Sequence, residues 1–342
     1  MSIAPSTSAR GGPNRPVAPG NVLALDLGAS RIRVALVTPQ GVVVARDETL
    51  TPGADGPDAV VAACIERLRA VASAAAARSG GSAVGVGISA VGPLDARAGV
   101  LVDPPNVGPA FRNVAISAPV ASALGLPVSL ERDTNVAALA EQTYGAARRA
   151  TDFLYITVST GIGGAIVAGG ELYLGPDGVA GEIGHIPVAL DEPPCGCGGA
   201  GHLEAVSSGS GIARQARLAM ETGRATGLVQ LASRLAPRTI EARDVAAAED
   251  AGDADAAAIM ERARRSFATA MVGLVNVFNP QLIVVGGSLA RAQGDRWLEP
   301  ARREVERVAF TIARRRVRIV PAELGDDVGL IGAQPLLGLR EV

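Results

Sequence analysis

Two stretches far apart in this chain are built to one plan. The first runs Val22-Leu-Ala-Leu-Asp-Leu-Gly-Ala-Ser30, Ile32 to Val37, a Pro39-Gln40-Gly41 turn, then Val42 to Ala45. The second runs Phe153-Leu-Tyr-Ile-Thr-Val158, a Ser-Thr-Gly-Ile-Gly-Gly turn, Ala165 to Ala168, a Gly169-Gly170 turn, then Glu171 to Leu174. Short apolar runs rich in β-branched residues, broken by Gly, Pro and Ser, predict a three-stranded meander. Its occurrence at the head of each half predicts a duplicated architecture with one polar-turned hairpin per half. The plainer reading is two unrelated hairpins.

The remaining pattern alternates. An Ala-rich helix is expected from Pro57 to Ser79, with Val61, Cys64, Leu68 and Val71 at helical spacing, followed by a strand from Val84 to Ile88. A mostly helical stretch runs from Leu203 to Phe278, and its last helix places Ile259, Ala263, Phe267, Ala270, Leu274 and Val277 on one face. Asn279-Pro280 should stop that helix, and Leu282 to Val285 before Gly286-Gly287 reads as a buried strand ending in a tight loop. Such alternation implies layered α/β domains. With 342 residues, 48% of them apolar, the chain has the material for two.

Every one of the 32 basic residues is Arg. The lack of lysine excludes a Walker-A loop, the strand lysine of protein kinases and a pyridoxal Schiff base. Phosphate chemistry would have to rest on backbone amides, Arg, carboxylates and a metal ion. The arginines are scattered and the net charge is −2, so nucleic acid is not the expected partner. No apolar run reaches the roughly 20 residues that span a bilayer. The Pro-, Gly- and Ser-rich residues 1–20 read as a disordered extension without a secretory signal, so the cytoplasm is the expected compartment and no membrane partner is expected. Three cysteines, two of them one residue apart, do not form a disulfide framework.

Both histidines and two cysteines fall in one window as His185, Cys195, Cys197 and His202, within and beside the turn Cys195-Gly-Cys-Gly-Gly-Ala-Gly-His202. Four such ligands suit a closed, structural zinc site; the alternative is a redox cysteine pair or chance clustering. Asp26 with the Gly28-Ala29-Ser30 turn suits magnesium and phosphate, or is an ordinary hairpin. The Ser159 to Gly164 turn offers consecutive backbone amides to an anion, or is an ordinary glycine hairpin. Asp133, between the Val128-Ser-Leu130 strand and a helical run, is either the cap of that helix or a general base.

Taken together, these segments resemble the ROK family of sugar kinases and sugar-responsive repressors from about Val22 to Leu339. The most specific features are Gly181-Glu-Ile-Gly-His185 and Cys-Gly-Cys-Gly-Gly-Ala-Gly-His-Leu-Glu204, with the Gly325-Asp-Asp-Val-Gly-Leu-Ile-Gly-Ala333 tail in support. The resemblance implies an actin-like, ribonuclease-H-like fold of two α/β domains around a cleft. Residues 21–134 would form the first domain and 135–324 the second, with 325–342 a C-terminal helix returning to the first. It implies Asp133 as catalytic base, Asn106, Glu182, His185 and Glu204 as sugar ligands, and His185 also on zinc. Asp26, Gly28, Ala29 and Ser30 would form one phosphate loop, Thr160, Gly161, Gly163 and Gly164 the other, and Gly286 and Gly287 the adenosine loop. The cofactors implied are ATP, Mg2+ and structural Zn2+; a homodimer or homotetramer is expected. His202 replaces a common Cys, Ala29 a common Gly, Phe111 a common Trp and Arg132 a common Asn at a position that often contacts sugar. Arg132 either meets sugar or a carboxylate, or turns to solvent.

The expected activity is ATP-dependent phosphorylation of a hexose, glucose at O6 first, with N-acetylhexosamine, mannose or fructose as alternative acceptors. A non-catalytic sugar sensor is the other alternative. About 20 residues before Val22 are too few for a DNA-reading module, which speaks against a repressor.

Overall fold

The computed structural model of the chain describes residues 16–77, 81–104, 110–190, 192–223 and 225–339. Asn106 lies outside the described residues. The first meander is β1 (Asn21–Leu27), β2 (Arg31–Val37) and β3 (Val43–Leu50). After α1 (Pro57–Ala77) come β4 (Ala83–Ala90) and the short strands β5 (Leu94–Asp95), β6 (Val100–Leu101) and β7 (Val114–Ala115). Then follow α2 (Ser117–Leu124), β8 (Val128–Arg132) and α3 (Asp133–Thr143).

The second meander is β9 (Phe153–Val158), β10 (Ile162–Ala168) and β11 (Glu171–Leu172), its last strand shorter than the sequence pattern suggests. A helical block follows: α4 (Leu203–Ser207), α5 (Gly209–Glu221), α6 (Thr226–Leu235), α7 (Ala242–Asp250) and α8 (Ala254–Phe278). The chain closes with β12 (Leu282–Gly286), α9 (Ser288–Gln293), α10 (Asp295–Val308), α11 (Thr311–Arg314), β13 (Arg318–Pro321), α12 (Val328–Ile331) and α13 (Ala333–Gly338).

The two main sheets have the same topology. One is ordered β3-β2-β1-β4-β8 and the other β11-β10-β9-β12-β13. In each, the meander is antiparallel and the last two strands run parallel to its first strand. The repeated sequence plan is therefore a repeated sheet, with β1 equivalent to β9.

Alternation along each strand explains how both faces are buried. Leu23, Leu25 and Leu27 pack with Cys64, Leu68 and Val71 of α1, while Val22 and Ala24 on the other face pack with Leu330, Ala333 and Leu337. In the second sheet Leu154 and Ile156 face Phe267 and Met271 of α8, whereas Phe153 and Tyr155 face Ala137 and Ala138 of α3. The helix that follows each sheet's last strand thus covers the opposite sheet. These helices also touch, through Val136, Leu139 and Leu336. At the crossing a Cβ on Gly332 would stand 2.3 Å from the Val136 carbonyl oxygen, so only glycine permits this approach.

Several boundaries differ from expectation. Residues 78 and 79 of the expected first helix lie outside the described residues. Val277, assigned to the buried face of α8, is 75% exposed, because the last turn of the helix extends past the core. The helix ends at Asn279, whose left-handed φ of 46° precedes Pro280. The C-terminal helix is two short helices meeting at Gly332. Ala18 is fully buried and its N–H donates to the Gln334 carbonyl, while Gln334 Nε2 donates to the Gly20 carbonyl. The free extension drawn to residue 20 therefore stops short of these residues.

Candidate functional site

The C-terminal ends of the parallel strands β1, β4 and β8 bring Asp26, Ser89 and Glu131 into register, where open α/β sheets place their ligands. Asp133 follows at the first residue of α3. It is not the N-cap, which is Arg132; its Oδ1 instead accepts the Thr134 N–H at 2.7 Å. Asp26, Gly28, Arg33, Ser89, Asp133 and Thr134 line a shared cavity of about 260 Å3.

Burial pushes the Asp133 carboxyl up to about 6, with the charges of Asp26 and Glu182 adding to the rise and the Thr134 N–H and Arg132 opposing it. This places a carboxyl that can accept a proton near neutral pH beside a second carboxylate, Asp26. Arg33 faces Asp26 across the β1–β2 pair and donates to it through Nε at 3.0 Å, while its Nη1 donates to the Asp326 carbonyl at 2.7 Å. The Gly28 N–H donates to the Arg31 carbonyl to close the turn, so this amide is already committed. Ala29 packs against the first core, and Thr51 N–H donates to the Ser30 carbonyl.

The Thr160 to Gly164 turn joins β9 to β10 and takes the same place in the second sheet. Its glycines keep it close to neighbouring side chains: a Cβ on Gly161 would stand 2.6 Å from Glu204 Oε2, and one on Gly163 2.7 Å from Thr134 Cγ2. Gly163 thereby lets the hairpin approach the residue beside Asp133. On Gly164, a Cβ would stand 2.4 Å from Ile183. Gly209 N–H donates to the Ser159 carbonyl and Ser210 N–H to the Thr160 carbonyl, fixing the turn on the start of α5. Gly286 ends β12 and Gly287 follows it, and with Ala290, Arg291, Pro321 and Gly325 they line a separate cavity of about 110 Å3.

Glu204 accepts the Ile162 N–H at Oε2, 2.9 Å away, which ties it to the β9–β10 hairpin. Glu182 accepts from Arg132 Nη1 at 2.6 Å through Oε1, and its Oε2 lies 3.9 Å from His185 Nε2. Arg132 is buried, donates also to the Ala180 carbonyl through Nη2, and does not turn to solvent.

The histidines and cysteines converge. His185 Nδ1 lies 3.7 Å from Cys195 Sγ, Cys197 Sγ lies 3.2 Å from His202 Nδ1, and one ligand atom from each of the four residues lies within 4.8 Å of the others. Tetrahedral zinc, with bonds of about 2.0–2.3 Å, needs ligand atoms roughly 3.3–3.8 Å apart, so small rotations would close this set around the ion. With Nδ1 turned to the cluster, His185 keeps Nε2 toward Glu182. One histidine can thus serve the cluster and the pocket.

The sequence reading passed over Arg33, Ser89 and Glu141. Arg33 had a signal, since the antiparallel register of a hairpin closed at Gly28 and Arg31 puts it opposite Asp26. Glu141 is fully buried and accepts the N–H groups of Ala146, Glu323 and Leu324, a long-range role that no local pattern marks.

This geometry has close counterparts among known proteins. A sequence model of the ROK family matches residues 22–338. A glucokinase of Halalkalibacterium halodurans is 33% identical over 318 residues, covering 93% of this chain and 94% of that protein. The crystal structure of a ROK hexokinase from Thermus thermophilus superposes with a TM-score of 0.78 at 31% identity, covering 94% of this chain and all (100%) of that one. A ROK family glucokinase from Streptomyces griseus, in complex with glucose and AMPPNP, gives a TM-score of 0.75 at 29% identity, covering 93% of this chain and 99% of that one. The fold is accordingly the actin-like one, and the chain belongs to the ROK family.

Proposed function

We propose that this chain is an ATP-dependent hexose kinase that phosphorylates glucose at O6. The observation that carries the reading is one cavity holding Asp133, a carboxyl raised to about 6, beside Asp26, with the glycine hairpin of the second sheet reaching Thr134. The glucokinase relative, and the Streptomyces griseus enzyme bound to glucose and an ATP analogue, support the choice of substrates.

In this reading Asp133 accepts the proton of the acceptor hydroxyl as the bond to phosphorus forms, late in a loose transfer. Asp26 would hold Mg2+, which neutralises charge on the phosphates when bound. The 28–30 and 160–164 turns would flank the phosphates, and the cavity at Gly286 and Gly287 would receive adenosine. Glu182, His185 and Glu204, with Asn106 outside the described residues, would take sugar hydroxyls. His185, Cys195, Cys197 and His202 would hold zinc, which fixes the loop presenting Glu182. The two-domain division near residues 134–135, a cytoplasmic location and a homo-oligomeric state complete the proposal.

Arg132 bears on the acceptor. Its guanidinium, clamped between Glu182 and the Ala180 carbonyl, takes one oxygen of Glu182 and narrows what that carboxylate can offer a sugar. A coupled ATP-consumption assay across glucose, mannose, fructose and N-acetylhexosamines tests both points. Glucose should give the largest kcat/KM, and Arg132→Asn should shift the ratios among glucose, mannose and N-acetylglucosamine several-fold, equivalent to about 1 kcal/mol or more. ATP consumption with none of these sugars would defeat the kinase reading in favour of a sugar sensor, while equal changes for all three sugars would remove Arg132 from acceptor choice.

A further inference from the structure

Ser89 is fully buried at the end of β4, and its hydroxyl has no hydrogen-bond partner among the described residues. An unpartnered buried hydroxyl destabilises a fold, so its presence calls for a reason outside the core. Two other buried serines are satisfied: Ser207 Oγ donates to the Ala263 carbonyl at 2.9 Å, and Ser208 Oγ accepts the Gly211 N–H at 3.0 Å. Ser117 and Ser129 also lack partners, but neither lines the cavity of Asp26 and Asp133, whereas Ser89 does.

The pleat of β4 fixes where the hydroxyl goes. Val86, Ile88 and Ala90 face the α1 core, so Gly85, Gly87 and Ser89 face the opposite side. There Gly85 and Gly87 are pressed by Leu337 and Ala333 of α13. One step beyond that contact, Ser89 meets the cavity, flanked in register by Asp26 on β1 and Glu131 on β8. Both neighbours are engaged elsewhere. Asp26 takes Arg33, and Glu131 Oε1 accepts the Arg132 N–H at 2.8 Å and Asn135 Nδ2 at 2.9 Å. The Ser89 O–H is left for whatever fills the space between the two aspartates.

We propose that Ser89 is a catalytic residue whose hydroxyl donates a hydrogen bond to a non-bridging oxygen of the phosphoryl group in transit. The proposal rests on the kinase reading for the identity of the group transferred. In the step, the acceptor oxygen bonds to the γ-phosphorus, its proton passes to the Asp133 carboxylate, and the bond between that phosphorus and the β,γ-bridging oxygen breaks to release ADP. Ser89 keeps its proton throughout. A neutral donor aimed at developing charge in a site closed to water stabilises transfer without adding to ground-state binding.

The test compares wild type with Ser89→Ala in the full chain. Expected for the variant are a kcat lower by about tenfold or more, a glucose KM within about twofold and an unfolding midpoint that does not fall. Affinity for Mg·ADP with fluoroaluminate, which mimics the planar phosphoryl group, should weaken by a comparable factor while affinity for Mg·ADP alone stays unchanged. A variant with kcat and fluoroaluminate affinity both within twofold of wild type overturns the proposal. So does a lowered midpoint with equal weakening of both nucleotide complexes, which would assign Ser89 to the fold. A wild type that binds Mg·ADP·fluoroaluminate but phosphorylates no hexose would defeat the kinase reading alone, since selective weakening of that complex in Ser89→Ala would still support the contact.

Discussion

At the scale of single residues, Asp133 is held where ionising it is costly. The folded protein keeps its proton up to about pH 6, whereas an unfolded chain releases an aspartic proton near pH 4. The unfolded state therefore binds fewer protons between those values, and stability falls as pH rises through the window. The penalty, about 2–3 kcal/mol, is fully present above pH 6 and absent below pH 4. Asp133→Asn should thus be more stable than wild type to urea at pH 7.5 and lose most of that advantage at pH 4.5. In the wild type, kcat/KM should fall about tenfold per unit below pH 6 as the base is protonated. Equal stability of the two proteins at both pH values, with a flat rate profile from pH 5 to 8, would show that burial does not govern this carboxyl. Asp133 and Asp26 were legible because each stands at the end of an apolar strand pattern, where a carboxylate is conspicuous. Ser89 was not, since a serine in a Gly-Ile-Ser-Ala strand reads as a small filler, and only the missing hydrogen bond together with its place at the cavity distinguishes it.

At the scale of elements, the two meanders were legible because turn chemistry and period-two alternation are local. The short β11 and the exposed end of α8 were not, because tertiary packing decides where a strand or helix stops. The segment from His185 to His202 has little regular structure: a single turn at Ile183–His185, bridges pairing Pro187 with His202 and Pro194 with Ala200, and the N-terminus of α4 beyond. So sparse a segment has little core of its own, and a closed zinc site would supply what packing does not. One tightly held zinc per chain is expected by elemental analysis. Chelation or Cys197→Ala should lower the unfolding midpoint and weaken glucose binding together, because the same turn carries Glu182. Metal-free protein with full stability and unchanged glucose affinity would contradict this.

At the scale of the whole molecule, the arrangement follows from two equivalent sheets exchanging helices. Each covers one face with its own outer helices and the other with the helix belonging to its counterpart, so the Asp133 end of α3 lies where the two sheets meet. The duplication was visible in the sequence, but the exchange was not. Val136, Leu139 and Leu336 are ordinary apolar positions within their helices, and nothing local says that they touch. The exchange brings Asp133 from the first sheet within reach of the glycine hairpin of the second. In the proposed reaction this convergence transfers a phosphoryl group from ATP to a hexose, with Asp133 taking the proton. Its most direct test is the turnover of Asp133→Asn on glucose, with glucose affinity measured by calorimetry on the same preparation. Expected are an affinity within about threefold of wild type and a kcat lower by about 10² or more. A variant that turned over within twofold of wild type would contradict it.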